Sequence, residues 1–170
     1  MPTSNIILTG FMATGKSTLG RRLAKRIGYR FIDTDAEIEK RSGQAIAEIF
    51  ETQGEASFRR LESELVKELA GQQRLVVATG GGLVMNPENV AALEKTGRII
   101  CLTAPPEEIL ARVTRQKQTR PLLDDPDPQS KISALLQQRA RVYQQFPQLD
   151  TSQHPPEKLI EKLLLLVQQT

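Results

Sequence analysis

The chain has 170 residues, room for one domain with a full core and little for a second. Charged residues make up 25% and apolar ones 39%, which is ordinary for a soluble globular protein, and the formal charge of +3 is too small by itself to argue for nucleic acid. One cysteine, Cys101, and one histidine, His154, exclude an internal disulfide and leave too few soft ligands for a zinc site.

In chain order, Asn5 to Thr9 is expected to form a buried first strand, apolar through Ile6-Ile7-Leu8. It runs into Gly10-Phe-Met-Ala-Thr-Gly-Lys-Ser17, the pattern G-x-x-x-x-G-K-[ST]. Two glycines let such a loop fold around phosphate with its N–H groups inward; the lysine supplies charge and the hydroxyl a magnesium ligand. Ser17 to Ile27 follows as an amphipathic helix stopped by Gly28, so a helix N-terminus faces the phosphates. A nucleoside triphosphate is therefore expected around Ala13, Thr14, Gly15, Lys16, Ser17 and Thr18.

Tyr29 to Ile32 is a short second strand ending in Asp33-Thr-Asp35. Helical spacing returns in Ala36 to Arg41, Ala45 to Gln53 and Glu55 to Ala70, the last with Phe58, Leu61, Leu65 and Leu69 on one apolar face. Leu75 to Ala78 is a third strand, running into Thr79-Gly-Gly-Gly82. Pro87 opens a helix to Lys95, Arg98 to Thr103 is a fourth strand, and Pro105-Pro106 begins a helix to about Thr114. Positions 115–129 are polar, charged and proline-rich around Leu122-Leu123, the composition of a lid. A helix from Ser130 to Phe146, a fifth strand at Gln148 to Asp150 and a helix from Glu157 to Gln169 complete the chain.

Strands alternating with helices predict an α/β three-layer sandwich with a mainly parallel sheet of about five strands, of the P-loop NTPase, nucleoside-monophosphate-kinase-like kind. Positions 1–170 are read as a single domain, with a substrate-binding helical region over about 33–61 and the lid over about 115–129. Ligands in such folds sit at the carboxyl ends of strands, where the phosphate loop, Asp33 to Asp35 and Gly80 to Gly82 converge. The third strand ends without an acid, so magnesium's carboxylate is expected from the second. Asp-x-Asp sends both carboxylates to one side while the strand stays extended; either aspartate could instead cap the next helix. No Asn-Lys-x-Asp signature for guanine is present, and a small fold with a lid suits a kinase of small molecules. The first positive side chain is Lys16 and the longest apolar run is Leu163 to Val167, so neither a basic leader region nor a membrane span is expected.

The set Gly10 to Ser17, Asp33-Thr-Asp35, Gly54-Glu-Ala-Ser-Phe-Arg59, Gly80-Gly-Gly82, Arg120-Pro-Leu-Leu123 and Arg139 resembles the shikimate kinase family, in its order and approximate spacing over positions 10 to 139. The resemblance implies transfer of the ATP γ-phosphate to the 3-hydroxyl of shikimate, on the route to chorismate and the aromatic amino acids. It implies that Arg59 and Arg139 grip the shikimate carboxylate, and that Asp35 receives the ring hydroxyls, including the attacking one. Gly81 would offer its N–H, and Asp33 with Ser17 would hold Mg2+. Lys16 would neutralise the transferring group, and Arg120 would close onto the ATP phosphates. Catalytic roles fall to Asp35, Lys16 and Arg120. The residue against adenine is open between Arg112, Arg115 and His154, whereas Arg60 reads as a surface ion-pairing residue. Shikimate and ATP are the expected partners, with no nucleic acid and no membrane, in a cytoplasmic monomer. Two rivals remain. One is a gluconate or nucleoside monophosphate kinase, although Asp35 would repel a phosphate dianion. The other is a regulatory module, although that would be expected to have lost the aspartate or the arginines.

Overall fold

The computed structural model describes residues 4–115 and 126–169. Among these residues the strands are β1 (Asn5–Gly10), β2 (Arg30–Asp33), β3 (Leu75–Ala78), β4 (Gly97–Thr103) and β5 (Gln148–Asp150). The helices are α1 (Lys16–Ile27), α2 (Thr34–Ser42), α3 (Ile46–Gln53), α4 (Glu55–Ala70), α5 (Pro87–Glu94), α6 (Pro106–Arg115), α7 (Pro128–Tyr143) and α8 (Pro156–Gln168). A short 3-10 turn at Leu83–Met85 has no counterpart in the sequence reading. All four strand pairings are parallel, in the order β2-β3-β1-β4-β5.

Period-two alternation along the strands sets the layers. Ile6 and Leu8 of β1, Val76 of β3 and Ile100 and Leu102 of β4 pack with Leu19 and Leu23 of α1 and Leu159 and Leu163 of α8. The alternate residues Ile7, Val77, Ile99 and Cys101 pack on the other face, with Phe58 and Leu65 of α4, Ile109 of α6 and Ile132 of α7. The result is the expected three-layer sandwich. Both faces are covered, so the strands are apolar almost throughout.

Helix ends follow local chemistry. Gly28 ends α1 in the left-handed region at φ 72°. α7 begins two residues before the expected Ser130, because Asp127 accepts the Ser130 N–H at 3.2 Å and caps the turn. β1 lies beside β3, and the chain switches direction between them: the connection from β1 through α1 runs to β2 over one face, and that from β3 through α5 runs to β4 over the other. The crevice at their carboxyl ends is where such a topology binds ligands. No helix among the described residues is long and apolar enough to cross a membrane.

Candidate active site

The phosphate loop starts where β1 meets β4 most closely. Gly10 has φ +133°, and a Cβ there would stand 2.2 Å from the Leu102 carbonyl oxygen, so only glycine fits. Gly15, at φ +98°, precedes α1, whose first turn has neither a side-chain cap nor an acidic residue. The N–H groups of that turn therefore face an anion without competition. Lys16 Nζ donates to the carbonyls of Gly10 and Phe11, each at 2.7 Å. Burial pulls its pKa down to about 8, against an opposing pull from Asp35.

Asp33 caps the next helix, the alternative reading of the Asp-x-Asp pair, and also reaches the loop hydroxyl. One carboxylate oxygen accepts the Ala36 N–H at 3.1 Å and caps α2, while the other accepts Ser17 Oγ at 2.5 Å. The extended conformation stops at Asp33, and Asp35 lies in the first turn of α2. Both side chains nevertheless line one crevice, because the helix turns Asp35 back towards the loop. Asp35 Oδ1 is buried and has no hydrogen-bond partner among the described residues. Burial and then the Asp33 charge raise the Asp35 pKa, with Lys16 opposing.

The triple glycine is a seat for three charged side chains. A Cβ on Gly80 would lie 2.6 Å from Asp35 Oδ1, one on Gly81 2.8 Å from Arg139 Nη1, and one on Gly82 2.6 Å from both Nη atoms of Arg59. The turn itself is tied down. Thr34 Oγ1 accepts the Gly80 N–H at 2.9 Å, and Tyr143 donates its hydroxyl to the Gly81 carbonyl at 2.6 Å. Leu83 and Met85 donate to the carbonyls of Gly80 and Gly82. The Gly81 N–H has no partner among the described residues, which leaves it for a ligand.

Arg59 and Arg139 come from α4 and α7 onto the same crevice. Each guanidinium lies over an aromatic ring, Arg59 at 5.3 Å from the Phe58 centroid and Arg139 at 5.5 Å from that of Phe11. Arg59 Nη1 donates to Glu62 at 2.6 Å, and Nη2 to the exposed Glu55 at 3.3 Å. Glu62 is 1% exposed, its second oxygen has no partner among the described residues, and burial raises its pKa against the pull of Arg59. Glu62 is absent from the sequence reading. Its only signal was the i,i+3 spacing from Arg59 on a helix rich in glutamate.

The crevice encloses about 910 Å3. Ala13, Gly15, Lys16, Ser17, Thr18, Asp33, Asp35, Arg59, Gly81 and Arg139 line it together, beside the apolar Met12, Ile46, Phe50 and Phe58. Thr14 is buried beneath the loop and donates its hydroxyl to the Phe11 carbonyl at 2.7 Å. Arg112, Arg115 and His154 are not part of this lining. Arg112 bonds Ala13 and Thr151, Arg115 pairs with Glu108 at 3.5 Å, and His154 Nε2 meets Lys162 Nζ at 2.8 Å. Arg60 is exposed. Arg120 and the lid positions 116–125 lie outside the described residues.

Comparison with known proteins shows the family. The sequence model described as SKI, shikimate kinase, matches residues 12–168. The chain belongs to the shikimate kinase family. A shikimate kinase of Pelotomaculum thermopropionicum is 53% identical over 139 residues, 82% of this chain and 80% of that one. The solved structure of shikimate kinase from Acinetobacter baumannii in complex with shikimate superposes with a TM-score of 0.88 at 38% identity, over 96% of this chain and 92% of that one. A gluconokinase from Sinorhizobium meliloti shares the fold alone, with a TM-score of 0.62 at 17% identity over 97% and 91% of the two chains. Family membership makes the chain an ATP-using phosphotransferase of aromatic biosynthesis.

Proposed function

We propose that the crevice seats MgATP on the phosphate loop and shikimate between Asp35 and the two arginines, and that the γ-phosphoryl group passes to the 3-hydroxyl. The observation that carries this reading is the glycine turn at 80–82, whose three missing side chains make room for Asp35, Arg139 and Arg59. A carboxylate at one end of the acceptor suits the planar forks of Arg59 and Arg139. Hydroxyls at the other end suit the acceptor-only oxygens of Asp35 and the free Gly81 N–H. Met12, Ile46, Phe50 and Phe58 supply an apolar wall for the ring.

Asp35 holds the attacking hydroxyl and takes its proton; its raised pKa makes it a better base than an ordinary aspartate. Lys16 exchanges its two carbonyl partners for phosphate oxygens, which also favours its charged form. Ser17 Oγ and Asp33 are hard oxygen donors 2.5 Å apart beside the loop, a set that fits Mg2+, which takes one or two carboxylates and completes its shell from phosphates and water. The ion would neutralise charge on the transferring group. Arg112 is the better candidate against adenine. Its hydrogen bond to the Ala13 carbonyl places it beside the phosphate loop, whereas Arg115 pairs with Glu108 and His154 meets Lys162. Arg120 is assigned to the ATP phosphates by its motif.

An ADP-release assay with shikimate, gluconate and AMP offered separately, with and without magnesium, tests the reading. Magnesium-dependent release with shikimate alone is expected. Release with gluconate or AMP and none with shikimate overturns it.

A further inference from the structure

Among the described residues, four carbonyls of the phosphate loop take side-chain donors. Those of Gly10 and Phe11 take Lys16 Nζ, and Phe11 also takes the Thr14 hydroxyl. Arg112 Nη1 donates to the Ala13 carbonyl at 3.0 Å, and Thr151 Oγ1 donates to the Thr14 carbonyl at 2.7 Å. These last two donors form one unit. Arg112 Nη1 also donates to Thr151 Oγ1 at 3.0 Å, and Nη2 to the Thr151 carbonyl at 3.2 Å. Thr151 is buried at the end of β5, and its N–H is held by the Thr103 carbonyl of β4 at 2.9 Å.

The hydroxyl of Thr151 has one proton and three neighbours. Thr14 O at 2.7 Å is closer than Thr103 O at 3.2 Å, so the proton goes to Thr14 while a lone pair accepts from Arg112. Only a hydroxyl can do both at once. Valine has the same shape and can do neither.

A trans peptide is planar, with its C=O and N–H pointing in opposite directions. No cis peptide occurs among the described residues. Holding the carbonyls of Ala13 and Thr14 from outside therefore aims the N–H groups of Thr14 and Gly15 the other way. The loop needs such ties, because Ala13 sits at φ +58°, a left-handed conformation that a residue with a Cβ rarely holds unaided.

We infer that Thr151 is a positioning residue for the transfer, carrying the Arg112 hydrogen bond through to the Thr14 carbonyl and so orienting two peptide units of the phosphate loop towards the nucleotide. The inference rests on the reading that this loop seats the phosphates of ATP. It assigns a role in nucleotide affinity to a side chain outside the lining of the crevice.

Thr151→Val and Thr151→Ser test it, with KM for MgATP and for shikimate measured on each beside the unaltered chain. The valine variant is expected to raise KM for MgATP roughly tenfold, as loss of one buried hydrogen-bond relay implies. KM for shikimate should stay within about twofold, and serine should bring KM for MgATP back to within about threefold. A valine variant with unchanged KM for MgATP, an equal rise in both constants, or a serine variant that restores nothing overturns the inference. An unaltered chain that releases no ADP from MgATP and shikimate overturns the underlying reading instead, so the two failures are distinct. If Thr151→Val does not fold, Thr151→Ala is read against the same serine variant.

Discussion

Gly82→Ala isolates the steric role of the glycine turn from its backbone freedom. Gly82 lies at φ −95° and ψ −5°, which alanine adopts without strain. The added methyl would stand 2.6 Å from both Nη atoms of Arg59 and 2.8 Å from its Cζ. To regain an ordinary contact of about 3.5 Å, the guanidinium must retreat by about 0.9 Å. Its side chain is 36% exposed and can do so, but Glu62 holds Nη1 at 2.6 Å and resists the shift. A displacement of about 1 Å in a positioning group can cost on the order of 100-fold in rate. We therefore expect kcat/KM for shikimate to fall on the order of 100-fold, with KM for ATP and the melting temperature nearly unchanged. Arg59→Ala removes both charge-assisted bonds and is expected to cost on the order of 1,000-fold. The decisive measurement is the double variant in an ADP-release assay. If the methyl acts by displacing Arg59, adding Gly82→Ala to Arg59→Ala costs less than about threefold. A Gly82→Ala chain with unaltered KM for shikimate, or the same loss with and without Arg59, refutes the argument.

Asp35→Asn keeps the shape of the site but removes the base, so kcat should fall by about 100- to 10,000-fold while ATP binding persists; near-normal turnover takes Asp35 out of that role. Asp33→Asn separates the two jobs of Asp33, since asparagine caps a helix as well as aspartate does. Its thermal stability should match the unaltered chain, while the magnesium concentration for half-maximal rate rises; an unchanged requirement removes Asp33 from the metal. Glu62→Gln tests the buried carboxylate through pH. Its folded pKa is raised by burial, so its contribution to stability is fully present below the ordinary glutamate pKa and is lost as pH climbs through the folded value. Denaturant titrations should show a shallower loss of stability over that window in Glu62→Gln, with the residual slope due to Asp35, which is raised in the same direction. Parallel curves for the two chains would contradict the assignment.

How much of this was legible in sequence depends on how local each cause is. β3, β5 and α4 have the expected bounds: glycines flank α4, Pro147 precedes β5, and β3 is a four-residue apolar run between Arg74 and Thr79. The phosphate loop was legible because one contiguous stretch contains its whole mechanism. Glu62 was not. It stands among exposed glutamates of α4, and its burial arises only when Arg59 and the turn at 80–82 close over it. Thr34 shows the same limit from inside a recognised motif, since its hydroxyl is committed to the Gly80 N–H, 46 residues away. Thr151 and Arg112 meet the loop across 137 and 99 residues, and no periodicity encodes such a meeting. The strand order is equally non-local, because β3 enters the sheet between β1 and β2.

The glycine turn also explains why one end of the acceptor site differs so sharply from the other. Three successive residues of a tight turn present their Cα atoms in three directions, and each meets a different helix. Gly80 meets Asp35 of α2, Gly81 meets Arg139 of α7, and Gly82 meets Arg59 of α4. The turn thus leaves room for acidic and basic groups that three different helices bring together. A phosphate dianion placed at the hydroxyl end would face Asp35, half-buried with its Oδ1 shielded from solvent, and the buried Glu62 behind it, both resisting a further negative charge. A neutral hydroxyl there meets an acceptor, and a carboxylate at the far end meets two guanidinium groups. On the proposed reading, discrimination against nucleoside monophosphates follows from the order of charges around one turn. Adding a side chain at any of positions 80–82 should degrade selectivity and turnover together.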